Sequence, residues 1–250
     1  MSSPTPSDPG VLFALPGALP VSAGSALLVP PGVLTVDSYP LACAMPQHPT
    51  PRCLFRCYVG KRNLEKAMSL FPQADFEVNW RPFELNPSAP KTGENKLEMY
   101  TRKFGEERIR MMMPRMTETF AKVGLNYSIG GLTGNTFDSH RLIFWAGTLG
   151  HAKQDALVEE LFSNYFCEEK YIGDRQILLA AAIKVGLDQT EAERILDDST
   201  AFKKEVENEK RTFGRGVSGV PFFIINREEG LSGAQPPETF VEIFRDALKS

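Results

Sequence analysis

Hydrophobic positions just after residue 57 follow helical spacing. The stretch YVGKRNLEKAMSLF is followed by Pro72 and carries basic residues between its apolar positions, which are Val59, Leu64, Ala67, Met68 and Phe71. Residues three and four apart share one face of a helix. The pattern therefore predicts an amphipathic helix that Pro72 ends.

Strand patterns occur on both sides of a long helical region. Residues 32–38, GVLTVDS, are rich in β-branched residues, and residues 75–85, DFEVNWRPFEL, alternate aromatic or branched residues with polar ones. Residues 219–235, GVPFFIINREEGLSGAQ, contain two apolar runs separated by a charged turn. We predict two strands and a β-hairpin here, followed by an amphipathic helix in PPETFVEIFRDALKS.

Between these regions, residues 94–211 carry almost only helix signals. Five of the six periodic runs in and just beyond this block end in glycine, at positions 105, 124, 150, 186 and 214. Glycine adopts the left-handed conformation at low cost and often follows the last residue of a helix. The predicted order is strand, helix, strand, helical block, hairpin and closing helix.

The first 50 residues differ from the rest in composition. They are rich in Pro, Ala, Ser and Gly and have no sustained periodicity, apart from the strand pattern at 32–38. Such a segment cannot offset its ordering entropy by burial. We therefore expect residues 1–50 to be a largely disordered extension and residues 51–250 to form the folded domain.

Charge and hydropathy exclude several classes of function. The chain has 28 Lys and Arg against 31 Asp and Glu, a formal net charge of −3, which gives no reason to expect a nucleic-acid partner. Its longest apolar region, residues 11–34, is interrupted by four prolines and has no basic residue before it, unlike a membrane span or a secretory signal. We expect a cytoplasmic protein with no membrane partner.

The four cysteines, at positions 43, 53, 57 and 167, do not form the dense pattern of a disulfide framework. His140 and His151 give no zinc spacing with them, so no metal site is predicted. The pair in PRCLFRCYVGKR is different, because it immediately precedes the first predicted helix. Cysteine chemistry at this pair is therefore the main candidate for function.

Four separated motifs identify a family resemblance. The motifs are CYVGKRNLEKAM, WRPFELNP, NTFDSHRLIFWA and GVSGVPFFIIN. In their order and separation they resemble the DsbA-like thioredoxin family, in its FrnE-type branch. This branch is related to 2-hydroxychromene-2-carboxylate isomerase and kappa-class glutathione transferase. The resemblance runs from about Cys57 to the C-terminus. It implies an α/β protein with a thioredoxin fold, formed by halves at about 51–90 and 212–250, and a large α-helical insertion at about 94–211.

The resemblance also implies a redox site. Members carry a Cys-x-x-Cys pair at the start of the first helix, where backbone N–H groups and the helix dipole stabilise a thiolate. The pair faces a cis-proline loop, for which Pro221 is the candidate, and the backbone of Val220 would pair with a bound peptide or with glutathione. Asn135, Thr136 and His140 correspond to a region that borders the substrate groove in related isomerases, although helix capping and packing would also explain them.

The cysteine pair departs from the family pattern. Cys57 aligns with the resolving cysteine, Leu54 occupies the position of the nucleophile, and Cys53 lies one residue further upstream, giving Cys-x-x-x-Cys. Three interpretations stay open. The first is a working Cys53–Cys57 couple, the second is a scaffold that retains only Cys57, and the third is either a pairing of Cys53 with Cys43 or simple inert thiols. Residues 39–56 would also fit a gene-model artefact, in which a retained intron or a mispredicted exon edge separates the first strand from the helix.

We predict a thiol-disulfide oxidoreductase in which Cys53 and Cys57 are catalytic and in which Val220, Pro221, Asn135, Thr136 and His140 contact the substrate. Its partners would be protein or small-molecule thiols and disulfides, with no bound cofactor and with glutathione as a possible cosubstrate. One alternative is a glutathione-dependent isomerase or a kappa-type transferase relative, against which Leu54 and the SGAQ sequence count. Another is a redox-inactive scaffold that binds peptides.

Overall fold

A computed structural model of the chain describes residues 18–20, 32–39, 56–217 and 219–249. The strands in these ranges are β1 (Ala18–Pro20), β2 (Val33–Ser38), β3 (Asp75–Trp80), β4 (Glu94–Asn95), β5 (Leu132–Thr133), β6 (Phe222–Ile225) and β7 (Glu229–Ser232). The helices are α1 (Arg56–Met68), α2 (Lys96–Phe104), α3 (Glu106–Ala121), α4 (Phe137–Thr148), α5 (His151–Phe166), α6 (Arg175–Lys184), α7 (Gln189–Asp197), α8 (Lys203–Phe213) and α9 (Pro237–Ala247).

A five-stranded mixed sheet forms the centre of the molecule, in the order β1-β7-β6-β2-β3. Strands β2 and β3 are parallel and are connected through α1, as the α/β class requires, whereas β6 is antiparallel to β2. Val36 is paired with Val78 on one side and with Ile225 on the other. The sheet therefore brings together residues from both ends of the chain.

The predicted start of the folded domain at residue 51 is too late. Strand β2 lies between β6 and β3, and its Leu34 and Val36 are fully buried. Local composition gave the wrong boundary because the partners that stabilise β2 lie far away in the sequence. Disorder was predicted for the other residues of the 1–50 segment, nearly all of which lie outside the described ranges.

The predicted helical insertion between the two halves of the sheet is confirmed. It comprises α2 to α8, with only the two-residue strands β4 and β5 paired inside it. Four of the five predicted capping glycines have positive φ, at positions 105, 124, 150 and 186. Gly214 is an exception with φ −78°, because the chain makes its left-handed turn two residues later, at Gly216.

One hydrophobic cluster joins the sheet to the insertion. On the sheet side, Tyr58 of α1 and Trp80 of β3 both contact the ring of Phe162 in α5. On the other side of the cluster, Phe240 of α9 packs edge-on against Phe223 of β6. Because buried aromatic rings carry much of the apolar area of a core, these contacts make the sheet and the insertion a single packing unit.

Candidate active site

The carboxyl ends of the parallel strands β2 and β3 meet the amino end of β6 at one edge of the sheet. Ser38 is paired with both Trp80 and Phe223. Just beyond the strands, the Arg81 N–H donates to the Ser38 carbonyl at 2.7 Å, and the Tyr39 N–H donates to the Phe222 carbonyl at 3.2 Å. Ligands of open α/β sheets bind outside the carboxyl ends of parallel strands, so this edge is the natural place for a site.

Cys57 is the second residue of α1, as the sequence predicted for the cysteine that begins this helix. Its side chain is 3% exposed and belongs to the main hydrophobic cluster. A thiol in the first turn lies near the positive end of the helix dipole, which favours the thiolate. Cys43, Cys53 and Leu54 lie outside the described residues, so the distance between Cys53 and Cys57 stays untested.

Pro221 packs against the same turn of α1. The Val220–Pro221 peptide bond is cis, which is the geometry implied by the resemblance. A Cβ atom built on Gly60 would lie 3.3 Å from Cγ of Pro221 and 3.0 Å from Cζ of Phe223. Because real Cβ contacts are rarely so short, the absence of a side chain at position 60 is what allows this close approach. The helix that carries Cys57 is thus in contact with the proline loop.

The backbone around Val220 is only partly paired. The Pro221 carbonyl accepts from the Gly233 N–H at 2.8 Å, and the Phe222 carbonyl is paired with Tyr39. Within the ranges that the structure describes, the backbone of Val220 has no hydrogen-bond partner. Its side chain is buried, so its backbone groups are the part of this residue that an added chain can pair with.

A charged group next to the proline loop, here called the Arg81 cluster, consists of Arg81, Asp37 and Glu209. Arg81 lies 2.8 Å from Asp37 and 2.6 Å from Glu209, and its guanidinium is 4.0 Å from the centre of the Phe213 ring. Burial would lower the pKa of Arg81, but the two carboxylates outweigh it and raise that pKa. Burial raises the pKa of Glu209 despite the opposing effect of Arg81.

The hydroxyl of Tyr39 extends this network to the end of α8. It donates to the Phe213 carbonyl at 2.6 Å, and its pKa is raised, first by burial and then by the charge of Asp37. This contact holds the end of α8 against the residue that follows β2. Sequence reasoning missed this group, although an aspartate inside the apolar strand LTVDS was a usable signal.

A second charged group, here called the Lys61 cluster, joins α1 to α5 and consists of Lys61, Glu65, Asp155 and Glu159. Lys61 is 1% exposed and lies 3.1 Å from Asp155 and 3.2 Å from Glu159, with Glu65 also in contact. Burial alone would lower the pKa of Lys61, but the carboxylates raise it. For Glu65, burial would raise the pKa, but Lys61 and then Arg62 lower it.

Two aromatic residues connect the Lys61 cluster with the sheet and with the cysteine turn. The indole N–H of Trp80 donates to Asp155 at 3.0 Å. The hydroxyl of Tyr58, next to Cys57, donates to Glu159 at 2.6 Å, which raises the pKa of Tyr58 together with the larger effect of its burial. The start of α1 is therefore held by the insertion on one side and by Pro221 on the other.

Asn135, Thr136 and His140 lie together at the start of α4, at the position predicted, and Asn135 and His140 contact residues 83–87. The Asn135 side chain donates to the Pro87 carbonyl at 3.1 Å and accepts from the Phe137 N–H at 2.9 Å. Thr136 is buried, and Nε2 of His140 lies 3.1 Å from the Phe83 carbonyl. These contacts join α4 to residues 83–87 and not to Pro221, so a role in substrate binding stays a prediction.

Three further features bear on what the protein can do. Cys167, at the end of α5, is partly buried, and its pKa is raised first by burial. In the described part of the chain, no group of three or more His, Cys, Asp or Glu side chains is placed to hold a metal ion. No helix there is long and apolar enough to cross a membrane.

The mixed sheet, the helical insertion and the proline loop facing α1 define a thioredoxin-fold protein. The family model of the DSBA-like thioredoxin domain matches residues 54–245 of the sequence. The chain therefore belongs to the DSBA-like thioredoxin domain family.

Three known proteins illustrate the breadth of this likeness. The chain is 32% identical to a probable DsbA oxidoreductase, SCO1869, from Streptomyces coelicolor, with a TM-score of 0.75 over 87% of this chain and 91% of that one. It is 24% identical to the uncharacterized protein YwbO of Bacillus subtilis (strain 168), over 77% of this chain and 92% of that protein. A 2-hydroxychromene-2-carboxylate isomerase shares the fold at 15% identity and a TM-score of 0.57, covering 86% and 94% of the two chains.

Proposed function

We propose that the protein catalyses thiol-disulfide exchange through Cys53 and Cys57, with the substrate chain docked on Val220 and Pro221. The observation that carries this proposal is the position of Cys57, in the first turn of a helix that packs directly against a cis-proline. A thiol there lies at the positive end of the helix dipole, on a helix that contacts Pro221, and the backbone of the adjacent Val220 has no hydrogen-bond partner among the described residues.

In the reductive direction, the Cys53 thiolate attacks one sulfur of a substrate disulfide. This forms a mixed disulfide and releases the other substrate sulfur as a thiolate. Cys57 then attacks the Cys53 sulfur, which releases the second substrate thiolate and leaves a Cys53–Cys57 disulfide. The substrate gains two electrons and the protein loses them, and the reverse sequence would oxidise a substrate dithiol.

The burial of Cys57 supports its assignment as the resolving residue. A thiol that is 3% exposed is poorly accessible to a large substrate, but a resolving thiol has to attack only a mixed disulfide that the protein already carries. The protein disulfide must then be reduced again by an external thiol. Glutathione, or another low-molecular-weight thiol of the predicted cytoplasmic location, is the proposed cosubstrate.

The test is a single turnover in which the pre-reduced full chain reduces hydroxyethyl disulfide, a small neutral substrate, with no free thiol present. We expect the wild-type protein to release both halves of the substrate as mercaptoethanol and Cys57→Ser to release only one half, because the mixed disulfide on Cys53 can no longer be resolved by Cys57. Mass spectrometry of this variant should show the adduct trapped on Cys53. Cys167→Ser is the matched control and should keep full turnover.

Unchanged turnover in Cys57→Ser would refute the assignment. A wild-type protein that binds glutathione or peptide without any turnover would instead support the redox-inactive scaffold.

A further inference from the structure

A groove runs along the exposed side of α1, beginning at the residue before Cys57. It has a volume of about 640 Å³ and lies between α1, the end of α3 and the connection from β7 to α9. Its wall on the α9 side is fixed to α1, because the side-chain amide of Asn63 donates to the Gln235 carbonyl at 2.8 Å. The groove is therefore part of the folded domain and opens beside the candidate active site.

The charged residues that line the groove are all basic: Arg56, Arg62, Lys66 and Lys122. This distribution is notable in a chain whose formal net charge is −3. The remaining lining residues are apolar or uncharged, and they include Val59, Ala234 and two consecutive prolines. The groove therefore combines an apolar surface with cations of a single sign.

Two of the four cations are already paired, and two are not. Arg62 contacts Glu65 and Glu159, and Lys122 lies 2.8 Å from Glu118, all of which are outside the lining. Arg56 and Lys66 have no ion-pair partner within the described part of the chain, and Nε of Arg56 is buried without a hydrogen-bond partner there. A buried guanidinium nitrogen without an acceptor is costly, so a ligand with anionic oxygens would relieve that cost.

We propose that this groove binds an acidic segment of the substrate polypeptide, so that the preferred substrates carry Asp or Glu near the reacting cysteine. The proposal deepens the proposed function, because it names the substrate class of the same site. Carboxylates on an extended segment can reach both Arg56, at the cysteine end of the groove, and Lys66, which lies about 15 Å further along α1. The gain is electrostatic and should weaken as salt increases.

The test measures the binding of cysteine-free fluorescent peptides to the full chain by anisotropy, using an acidic peptide and a neutral peptide of equal length. We expect the acidic peptide to bind at least about tenfold more tightly at low salt, and this preference to fall as salt is raised. The double variant Lys66→Glu/Lys122→Glu should abolish the preference. The milder variant Lys66→Gln/Lys122→Gln should reduce it and covers the case in which charge reversal impairs folding.

The control variant is Lys91→Glu/Lys204→Glu, which changes two exposed lysines outside the groove and alters the net charge equally. It should keep the preference if the groove is the binding site. Three results would overturn the proposal. The preference for the acidic peptide could fall equally in the groove variant and the control variant, the two peptides could bind equally well, or the protein could bind glutathione but neither peptide.

This experiment is independent of redox turnover, because the peptides contain no cysteine. If hydroxyethyl disulfide is not reduced but the acidic peptide still binds through Lys66 and Lys122, the proposed function is refuted and the proposed binding of acidic segments in the groove is supported. If turnover is normal and the two peptides bind equally well, the proposed binding of acidic segments in the groove is refuted and the proposed function is supported.

Discussion

The Lys61 cluster and the Arg81 cluster both tie the helical insertion to the thioredoxin core, but the buried charge has the opposite sign in each. In the Lys61 cluster the cation is 1% exposed, and its three carboxylate partners are 30–40% exposed. In the Arg81 cluster the buried partner is the anion, since the Asp37 side chain is 4% exposed and Arg81 is 15% exposed. The two clusters should therefore respond differently when the cation is removed.

The difference follows from what each substitution leaves behind. Carboxylates that reach water can be solvated when their cation is lost, whereas a carboxylate that stays buried without a partner retains its full desolvation cost. Arg62 would also continue to neutralise Glu65 and Glu159 in the absence of Lys61. Asp37 has no second ion-pair partner in the described ranges.

The largest effect is therefore expected for Arg81→Met. We expect the free energy of unfolding to fall by about 3–5 kcal/mol, because Asp37 would stay buried without its cation. Urea denaturation measures this loss. Arg81→Lys is the matched control and should lose less, since it keeps the charge but not the fork that spans Asp37 and Glu209. A fall in the free energy of unfolding of less than about 1 kcal/mol in Arg81→Met would show that water solvates Asp37 when Arg81 is absent.

A smaller effect is expected for Lys61→Met. The methionine retains most of the apolar stem of Lys61, and the three carboxylates can turn to solvent, so the expected loss is about 1–2 kcal/mol by the same urea measurement. Lys66→Met, on the exposed side of α1, should change stability by less than about 0.5 kcal/mol. A loss in Lys61→Met that equals or exceeds that in Arg81→Met would contradict the proposed difference between the clusters.

The smallest effect concerns pH, and its sign also differs between the clusters. Glu65 has a pKa below its ordinary value of 4.5, so its contribution to stability is present above pH 4.5 and is lost as the pH falls through the lower folded value. Glu209 has a raised pKa, so its contribution is present below pH 4.5 and is lost as the pH rises through the higher folded value.

The measurement is the free energy of unfolding against pH for Glu65→Gln and Glu209→Gln. Glu65→Gln should flatten the fall in stability below pH 4.5, and Glu209→Gln should flatten the fall just above it. Both variants flattening the same side would show that the two carboxylates share one electrostatic environment.

Much of the fold could be predicted from local patterns. The apolar spacing of Val59, Leu64 and Ala67 gave α1, and the run of Phe222 to Ile225 followed by a charged turn gave the hairpin of β6 and β7. Lys61 shows the limit of this approach. It occupies a polar position in the pattern but is buried, because α5 places Asp155 and Glu159 opposite it. No property of α1 alone encodes that partner.

The candidate site was predicted only in part for a similar reason. The resemblance pointed to Pro221 and to Cys57, but neither the Gly60 contact nor the Arg81 cluster follows from spacing along the chain. Asp37 and Glu209 both contact Arg81 because β2 and α8 lie at the same edge of the sheet. Sequence reasoning finds residues with suitable chemistry, and the long-range pairing of the sheet decides which of them meet.

The pairing of Val36 with Ile225 has a consequence for how the molecule is made. A ribosome adds about 5–20 residues per second, so roughly 10–40 seconds separate the synthesis of these two partners. Until β6 emerges, β2 lacks its antiparallel neighbour, and the turn that carries Cys57 lacks Pro221. The candidate active site is therefore among the last parts of the protein to assemble, long after its cysteine has left the ribosome.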